Sequence, residues 1–398
     1  MSYRILSLDG GGTWALIQVK ALIALYPGGA ATPGLTVLND FDLVAANSGG
    51  SIVLGALVEN LTLGQILDLF EDEATRKSIF SKTDSLVDRA FHDLTQMGPK
   101  YSAENKLPAL QHALQTKGNI LLTKVTAGLR RPGSNEDLHL LIIAFDYDRN
   151  HARFFRSSTT SGPSWGTGET YDVTLAEAIH ASTNAPVNYF DAPAIFPDHS
   201  GRYWDGAITG CNNPVLAGVT EAIAKNQSPA DIVALSIGTA TVALPWPQPG
   251  DPDSPFVQQT VDPGLPNDLR KLATSIIDDP PDIATYLAHV MTGSGIDLNT
   301  PGADSRIVRM SPLISPVKTA GVWAAPGQMT AAQFTYLAKL DMDAVEQPQV
   351  DAISRYADLW LQDLAVNQPV RMDSDTLTLE LGQATFTAAK NAWNAIKK

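Results

Sequence analysis

Three consecutive glycines lie near the start of the chain, between two apolar runs. Gly10, Gly11 and Gly12 follow the strand-like run Tyr3–Leu8 and precede the helix-like run Trp14–Tyr26. Glycine reaches positive φ and lets the backbone approach a ligand closely. The N-terminus of the following helix presents unpaired N–H groups and the positive end of its dipole. We expect this loop to hold an anion, either a bound phosphate or a transient oxyanion.

Two phosphate-binding patterns fit the loop only in part. A P-loop requires Gly-Lys-Ser/Thr after the glycines, and Thr13 and Trp14 do not supply it. The dinucleotide pattern G-x-G-x-x-A is met by Gly10, Gly12 and Ala15, but residues 27–38 contain none of the acidic residues that should follow. Taken alone, the loop is compatible with a nucleotide site or with an ordinary tight turn.

A second motif places Ser48 at the apex of a predicted strand–turn–helix. The apolar run Phe41–Ala46 leads into the serine, and a helical pattern begins at Ser51. This is the context of a nucleophile elbow, in which small neighbours allow a tight turn. Ala46 stands where the pattern G-x-S-x-G has its first glycine, so we expect some strain there. An alternative is that Ser48 only caps the helix. The elbow would be supported by Ala46, Asn47, Gly49 and Gly50.

A third motif is an acidic residue followed by two small ones. Asp205, Gly206 and Ala207 come after the short strand-like run Arg202–Trp204. On its own this motif is more typical of an ordinary Asp-Gly turn.

A serine hydrolase with the usual triad would also need a histidine after its acid. The only histidine that follows Asp205 in the sequence is His289, in the apolar helical run Ile283–Met291. A histidine in such a run is more typical of core packing. His180, which precedes Asp205 on a helix of small residues, is interpreted in the same way.

The rest of the first half predicts the framework for these motifs. Short β-like runs alternate with helix-like runs, which favours a mainly parallel sheet covered by helices. Residues 240–265 are rich in proline, as in a surface excursion or lid. The pattern beyond them is helical, which predicts a catalytic domain over 1–265 and a helical extension over 266–398 packed on it. Further strands are predicted at Leu138–Phe145, Ala152–Arg156 and Ile232–Ile237, and helices at Leu175–Ser182, Pro214–Ala224, Ala331–Leu340 and Asp351–Leu364.

Composition excludes several classes of protein. The 398 residues are 44% hydrophobic, which excludes a mostly disordered chain, and the formal charge of −14 disfavours nucleic acid as a partner. The single cysteine excludes an internal disulfide and a thiolate zinc cluster. No signal peptide and no membrane-spanning apolar run are predicted. We therefore expect a cytoplasmic protein that contacts membranes only from the surface.

Together the three motifs resemble the patatin-like phospholipase family of acyl hydrolases. They occur in the family's order, and the resemblance extends over roughly residues 3–240. Ala178–Phe190 resembles the family's helix of small residues that runs into Ala-Pro. Leu235–Thr239 resembles its strand and turn after the Asp-Gly-Ala segment. Trp14 and Ala15 stand where the family usually has a basic residue and a glycine.

The resemblance implies a fold and a mechanism. The fold would be a three-layer α/β/α sheet of modified α/β-hydrolase type with a nucleophile elbow, plus the C-terminal helical elaboration. Ser48 would be the nucleophile, Asp205 the base, and the Gly10–Gly12 amides the oxyanion hole. The substrate would be a lipid acyl ester, and no metal or cofactor is implied. Three alternatives stay open: a non-catalytic lipid or protein binder, a triad that includes His289, and nucleotide binding, which would leave Ser48 and Asp205 unexplained.

Overall fold

A mixed sheet of eight strands lies at the centre of the described part of the chain. The structure, a computed structural model, describes residues 2–74, 76, 106–158, 172–186, 190–196, 199–248, 254–293, 305–319, 321–342, 344–373 and 375–397. The strands in chain order are β1 (Tyr3–Leu8), β2 (Leu43–Asn47), β3 (His139–Asp146), β4 (His151–Arg156), β5 (Ala194–Phe196), β6 (His199–Asp205), β7 (Ile232–Ile237), β8 (Thr241–Val242), β9 (Ile307–Met310), β10 (Leu313–Ile314), β11 (Val317–Thr319), β12 (Val322–Ala324), β13 (Arg371–Asp373) and β14 (Thr378–Leu381).

The order of the main sheet is β5-β6-β3-β2-β1-β7-β9, with β4 also paired to β3. Strands β3, β2, β1, β7 and β9 run parallel, whereas β4 and β6 are antiparallel to β3. The described helices are α1 (Leu16–Leu25), α2 (Gly34–Leu38), α3 (Ser48–Val58), α4 (Leu63–Glu71), α5 (Lys106–Ala113), α6 (Leu122–Val125), α7 (Leu175–Ser182), α8 (Val215–Ala224), α9 (Leu265–Met291), α10 (Ala331–Ala338), α11 (Gln347–Leu361) and α12 (Phe386–Ile396).

Helices cover both faces of the sheet. Successive strand residues point to opposite faces, so Leu6 and Val44 pack with α1 and α3 on one face. Ile5 and Leu43 pack with α8 and α9 on the other. The predicted three-layer α/β/α fold is confirmed. No helix within the described ranges combines the length and the apolar character that crossing a membrane requires.

Predicted and observed elements differ mainly at their ends. The strands at Tyr3–Leu8 and Ile232–Ile237 and the helix at Leu175–Ser182 have the predicted bounds. The helix predicted from Trp14 begins instead as a 3₁₀ turn, Gly12–Ala15, before α1. Helix α3 begins at Ser48, three residues earlier than predicted. Ser48 therefore lies at the junction of strand and helix with no loop between them.

The C-terminal part contributes a strand as well as helices. Helices α10 and α11 are close to their predicted positions, but β9 pairs in parallel with β7 and joins the main sheet. Of the proline-rich stretch 240–265, residues 249–253 lie outside the described ones. In its described part, β8 pairs with β10, and Phe256 contacts Phe334 of α10 with ring centroids 5.3 Å apart. The lid function and the domain division at residue 265 stay predictions.

Candidate active site

Ser48 has the backbone of an elbow residue. Its φ is 46°, a left-handed value that costs a non-glycine residue about 1 to 3 kcal/mol. The N-cap of α3 is Asn47, which makes no side-chain capping hydrogen bond, so the capping alternative does not explain the serine. Ala46 is buried in β2, paired with Leu8 and Ile142, and is not among the described residues with positive φ. The strain expected at Ala46 therefore lies at Ser48 instead.

Strand register brings Asp205 next to Ser48. On β3, Ile143 is the partner of Asn47, the last residue of β2. The next residue, Ala144, is the partner of Asp205, the last residue of β6. Both strands therefore end at adjacent positions along β3, and the serine that follows Asn47 meets the carboxyl group of Asp205.

The Asp205 carboxyl group is buried and hydrogen bonded. Its side chain accepts from Asn47 Nδ2 at 3.1 Å and from the Ala207 amide at 2.8 Å. Burial raises its pKa above the ordinary value. Hydrogen bonds from the Ser48 hydroxyl, the Ala207 amide and Asn47 act in the opposite direction. The raised pKa makes Asp205 a stronger base than an exposed aspartate, and the Ser48 hydroxyl is positioned to give it a proton.

The end of α7 links the serine to the aspartate. The Ser48 amide donates to Ser182 Oγ at 2.9 Å. Two residues later, the Asn184 carbonyl accepts from the Asp205 amide at 2.9 Å. Sequence analysis included both residues in the Ala178–Phe190 stretch but assigned neither a role. Polar side chains at the end of a helix of small residues are the signal that would have identified them.

Lys106 is a buried lysine near the pair, and the sequence pattern did not indicate it. The side chain is fully buried at the start of α5, donates from Nζ to the Thr183 carbonyl at 2.5 Å and lies 3.9 Å from the centroid of the Phe190 ring. Burial lowers the pKa of Lys106 well below its usual value, and the charge of Asp205 raises it. Burial, and then the charge of Lys106, lowers the pKa of His180 to about 3, so this histidine is neutral near pH 7.

The loop Asp9–Gly12, called the glycine loop below, lies against the elbow. Gly12 has φ 55°, and a Cβ there would be 2.4 Å from the Met342 carbonyl oxygen. A Cβ on Gly49 would be 2.5 Å from the Gly12 carbonyl oxygen, so α3 begins in direct contact with the loop. The Gly10 amide donates to the Asn212 carbonyl at 2.9 Å. The amides of Gly11 and Gly12 have no acceptor among the described residues.

The remaining predicted site residues pack around this centre. A Cβ on Gly50 would be 2.4 Å from the Leu8 carbonyl oxygen. One on Gly206 would be 2.4 Å from Asn47 Oδ1. Ala207 lies in the 3₁₀ turn Gly206–Thr209 that follows Asp205. These close contacts leave no room for larger side chains, which accounts for the small residues in the two motifs.

His289 lies in a different environment. It is buried on α9, with Nδ1 3.0 Å from Ser305 Oγ and its ring stacked on Tyr286. Its neighbour Ala288 packs on the face of the sheet opposite to α3. Within the described residues, no group of three or more His, Cys, Asp or Glu side chains forms a metal site.

A comparison with protein-family models agrees with the motifs. The family model described as patatin-like phospholipase matches residues 6–219, more than half of the chain. A protein of Arabidopsis thaliana named "Probable inactive patatin-like protein 9" is 24% identical over 248 residues, which cover 59% of this chain and 60% of that protein. The chain thus spans less than two thirds of that relative's length. The crystal structure of VipD from Legionella pneumophila matches with a TM-score of 0.36 and 11% identity, covering 90% of this chain and 67% of that one.

Proposed function

The chain belongs to the patatin-like phospholipase family, and from that premise we propose that it hydrolyses carboxylic esters of lipids through an acyl-Ser48 intermediate. One observation carries the proposal. Ser48 has a strained left-handed backbone, and its hydroxyl is hydrogen bonded to the buried carboxyl group of Asp205. Strain of this kind persists where the surrounding structure enforces it, typically at active sites.

Acylation uses Asp205 as the base. The Ser48 oxygen attacks the ester carbonyl carbon as its proton passes to the Asp205 carboxylate, since serine is a weak nucleophile until a base accepts that proton. The tetrahedral intermediate then expels the alcohol, and Asp205 returns the proton to the departing oxygen. Hydrogen bonds from the Ala207 amide and the Asn47 side chain hold the carboxylate in place during both transfers.

Deacylation repeats these steps with water. Asp205 accepts a proton from the water that attacks the acyl-Ser48 carbonyl, and the collapse of the second tetrahedral intermediate releases the fatty acid. The proton returns to the Ser48 oxygen as the acyl–oxygen bond breaks. Both half-reactions thus use one acid–base group, and no histidine is needed.

The oxyanion of each intermediate is stabilised by the glycine loop. Sequence analysis expected the amides of Gly10, Gly11 and Gly12. The Gly10 amide is already hydrogen bonded to the Asn212 carbonyl, so the proposed oxyanion donors are the amides of Gly11 and Gly12. Backbone donors held in place for the transition state contribute about 3 to 4 kcal/mol each. The N-terminus of α3 adds the positive end of its dipole.

A second candidate is a non-catalytic lipid binder of the same fold. The name of the Arabidopsis relative, which describes that protein as probably inactive, is the observation that favours it. Against it, Ser48, Asp205 and all three glycines are present in this chain. A family member that has lost its activity is expected to lack at least one of them.

Labelling with a fluorophosphonate probe, followed by peptide mapping, separates the two candidates. We expect an adduct on Ser48, none in Ser48→Ala, and a normal adduct in Ser157→Ala. Ser157 is another buried serine, which follows β4 and accepts a hydrogen bond from the Leu140 amide near the start of β3. Wild type and Ser157→Ala should also hydrolyse p-nitrophenyl butyrate and phosphatidylcholine vesicles, whereas Ser48→Ala should hydrolyse neither. A folded protein that gives neither adduct nor turnover would contradict the hydrolase and favour the binder.

A further inference from the structure

The glycine loop is fixed at its first residue by a buried ion pair. Asp9 directly follows β1, and its Oδ2 lies 2.6 Å from Nη2 of Arg309 on β9. Both side chains are almost completely buried, with 3% and 2% of their surfaces exposed. A buried charge requires a partner and further hydrogen bonds, so this pair restricts where Asp9 can lie.

Arg309 is itself held in one orientation. Its side chain crosses β7, where Nη1 donates to Ser236 Oγ at 2.8 Å. Its Nε and Nη2 donate to Gln368 Oε1 at 3.2 and 3.0 Å. Gln368 follows α11, so Ser236 on β7 and a residue far later in the chain together orient the guanidinium towards Asp9.

The other end of the glycine loop is held by the same half of the chain. The Thr13 amide donates to the Met342 carbonyl at 3.2 Å, and Trp14 Nε1 donates to the Asp341 carbonyl at 2.9 Å. The Met342 carbonyl also lies against Gly12. Gly11 and Gly12 thus lie between two fixed points, Asp9 and Thr13, and both points are anchored on residues after 300.

We propose that β9, the residues Asp341 and Met342, and Gln368 are part of the catalytic unit and that Arg309 is a positioning residue for the oxyanion-binding amides of Gly11 and Gly12. The inference rests on the proposed function, which it deepens by assigning a role to residues outside the 6–219 match. The inference also bears on Trp14, which stands where the family usually has a basic residue. The basic residue that the family usually has in the loop is absent, and a cation reaches the loop from β9 instead.

The test compares two buried Arg–Asp pairs. Removing Arg309 alone leaves Asp9 buried without a counter-ion, which could unfold the protein, so the main variant is Asp9→Asn with Arg309→Gln. The matched control is Asp42→Asn with Arg131→Gln. That pair is also buried, with Arg131 Nε 3.0 Å from Asp42 Oδ2, but Asp42 precedes β2 and lies at the opposite end of the strands. Arg309→Lys is added because it keeps the charge without the forked geometry.

Two readouts are used: kcat and KM for p-nitrophenyl butyrate, and hydrogen–deuterium exchange of the peptide covering residues 8–16. We expect the Asp9/Arg309 double variant to lose about 100-fold in kcat with little change in KM, as a displacement of about 1 Å in the catalytic geometry does. Exchange in the peptide should become at least about 10-fold faster, because the loop loses its anchor. Arg309→Lys should fall between wild type and the double variant.

The outcomes separate this inference from the proposed function. If wild type turns over the ester and the Asp9/Arg309 variant matches the Asp42/Arg131 control in kcat and loop exchange, the positioning role is overturned while the hydrolase stands. If wild type turns over no ester but loop exchange still accelerates only in the Asp9/Arg309 variant, the hydrolase fails and the anchoring of the loop stands. If exchange accelerates equally in both double variants, Arg309 contributes only to general stability and the inference is wrong.

Discussion

The two ends of the central parallel strands carry similar side chains in contrasting states. At the amino end, both carboxylate oxygens of Asp42 are bonded, to Arg131 and to the Arg4 amide. At the carboxyl end, Asp9 is paired with Arg309, but its Oδ1 has no partner among the described residues. The carboxyl end also holds the left-handed Ser48 and the buried carboxyl group of Asp205.

The contrast between the two ends indicates where the fold tolerates strain. The hydrogen bonds of Asp42 account for its burial without any chemical role. Strained backbone, unpaired amides and carboxyl groups of raised pKa cost stability and are retained where they serve chemistry. Ligand sites of open α/β sheets also lie at the carboxyl ends of the strands. The following predictions test this division, each with a matched change elsewhere.

The largest effect is expected for the two aspartates themselves. Asp205→Asn removes the proposed base and should lower kcat on the order of 10³-fold or more, with the fold retained because asparagine is nearly isosteric. Asp42→Asn breaks the pair at the amino end. It should lower the free energy of unfolding by about 3 kcal/mol and leave kcat nearly unchanged below the melting transition. Steady-state kinetics and thermal melts of both variants check this.

His289→Ala extends the same comparison. If Ser48, Asp205 and His289 formed a triad, this change would abolish turnover while Asp205→Asn retained some of it. We expect the reverse, because His289 is bonded to Ser305 within the core on the other face. Loss of turnover in a folded His289→Ala protein would show that the Ser–Asp assignment is wrong.

A smaller effect is expected for two glycines with nearly equal φ. Gly12 has φ 55° and Gly29 has φ 54°, but a Cβ on Gly12 would meet the Met342 carbonyl whereas one on Gly29 would meet nothing within 4 Å. Gly29→Ala should cost about 1 kcal/mol of stability through left-handed strain alone, with kcat unchanged. Gly12→Ala should also displace the oxyanion amide and lower kcat about 100-fold. Equal kcat in the two variants would remove the glycine loop from the mechanism.

The next effect concerns the pH dependence of activity. Asp205 accepts a proton only when ionised, so kcat/KM should rise with pH through its pKa. The cation of Lys106 lowers that pKa, so Lys106→Met should raise it and displace the acid limb to higher pH. At a pH below the limb, kcat/KM falls about 10-fold for every pH unit by which the limb is displaced. His180 also faces the charge of Lys106, but its pKa of about 3 leaves it neutral near pH 7, so Asp205 is the base whose ionisation the profile follows.

Lys20→Met is the control for that profile. Lys20 forms its ion pair with Asp358 on α11 and not with Asp205. Replacing it therefore removes the same charge from a different place. Its pH profile should match that of wild type. Identical acid limbs in the Lys106 and Lys20 variants would mean that the charge of Lys106 does not act on Asp205.

Most of the framework and the residues at the centre of the candidate site could be predicted from sequence, because both depend on local patterns. The strand at Tyr3–Leu8 is an uninterrupted apolar run, and Ser48 lies among small residues that only a tight turn explains. The elbow, the Asp-Gly-Ala turn and the glycine loop each have a signature within a few residues. Their proximity was inferred only through the family resemblance, and the register on β3 now accounts for it.

The residues that support the site could not be predicted in this way. Lys106 and Arg309 are single basic residues in segments with no motif, and their importance comes from burial against partners 77 and 300 positions away. β9 was missed because it has only four residues, one of them Arg309, and no clear alternation. Such contacts depend on how the chain crosses the sheet, which no short window of sequence records.

The last prediction concerns the pH dependence of stability, and it tests whether Asp9 is held in place at a cost in free energy. Burial raises the pKa of Asp9 from 3.8 to about 6, although Arg309 acts to lower it. An acid whose pKa is raised on folding contributes stability that is complete below its unfolded pKa and is lost as the pH rises through its folded value. Asp9→Asn cannot titrate, so between pH 4 and pH 7 wild type should lose about 2 kcal/mol of unfolding free energy relative to this variant. Urea unfolding of both proteins across this range measures the difference, with Asp42→Asn as the reference from the amino end. A difference that does not change with pH would mean that Arg309 keeps Asp9 ionised throughout, and the two ends of the strands would then be held by pairs of the same kind.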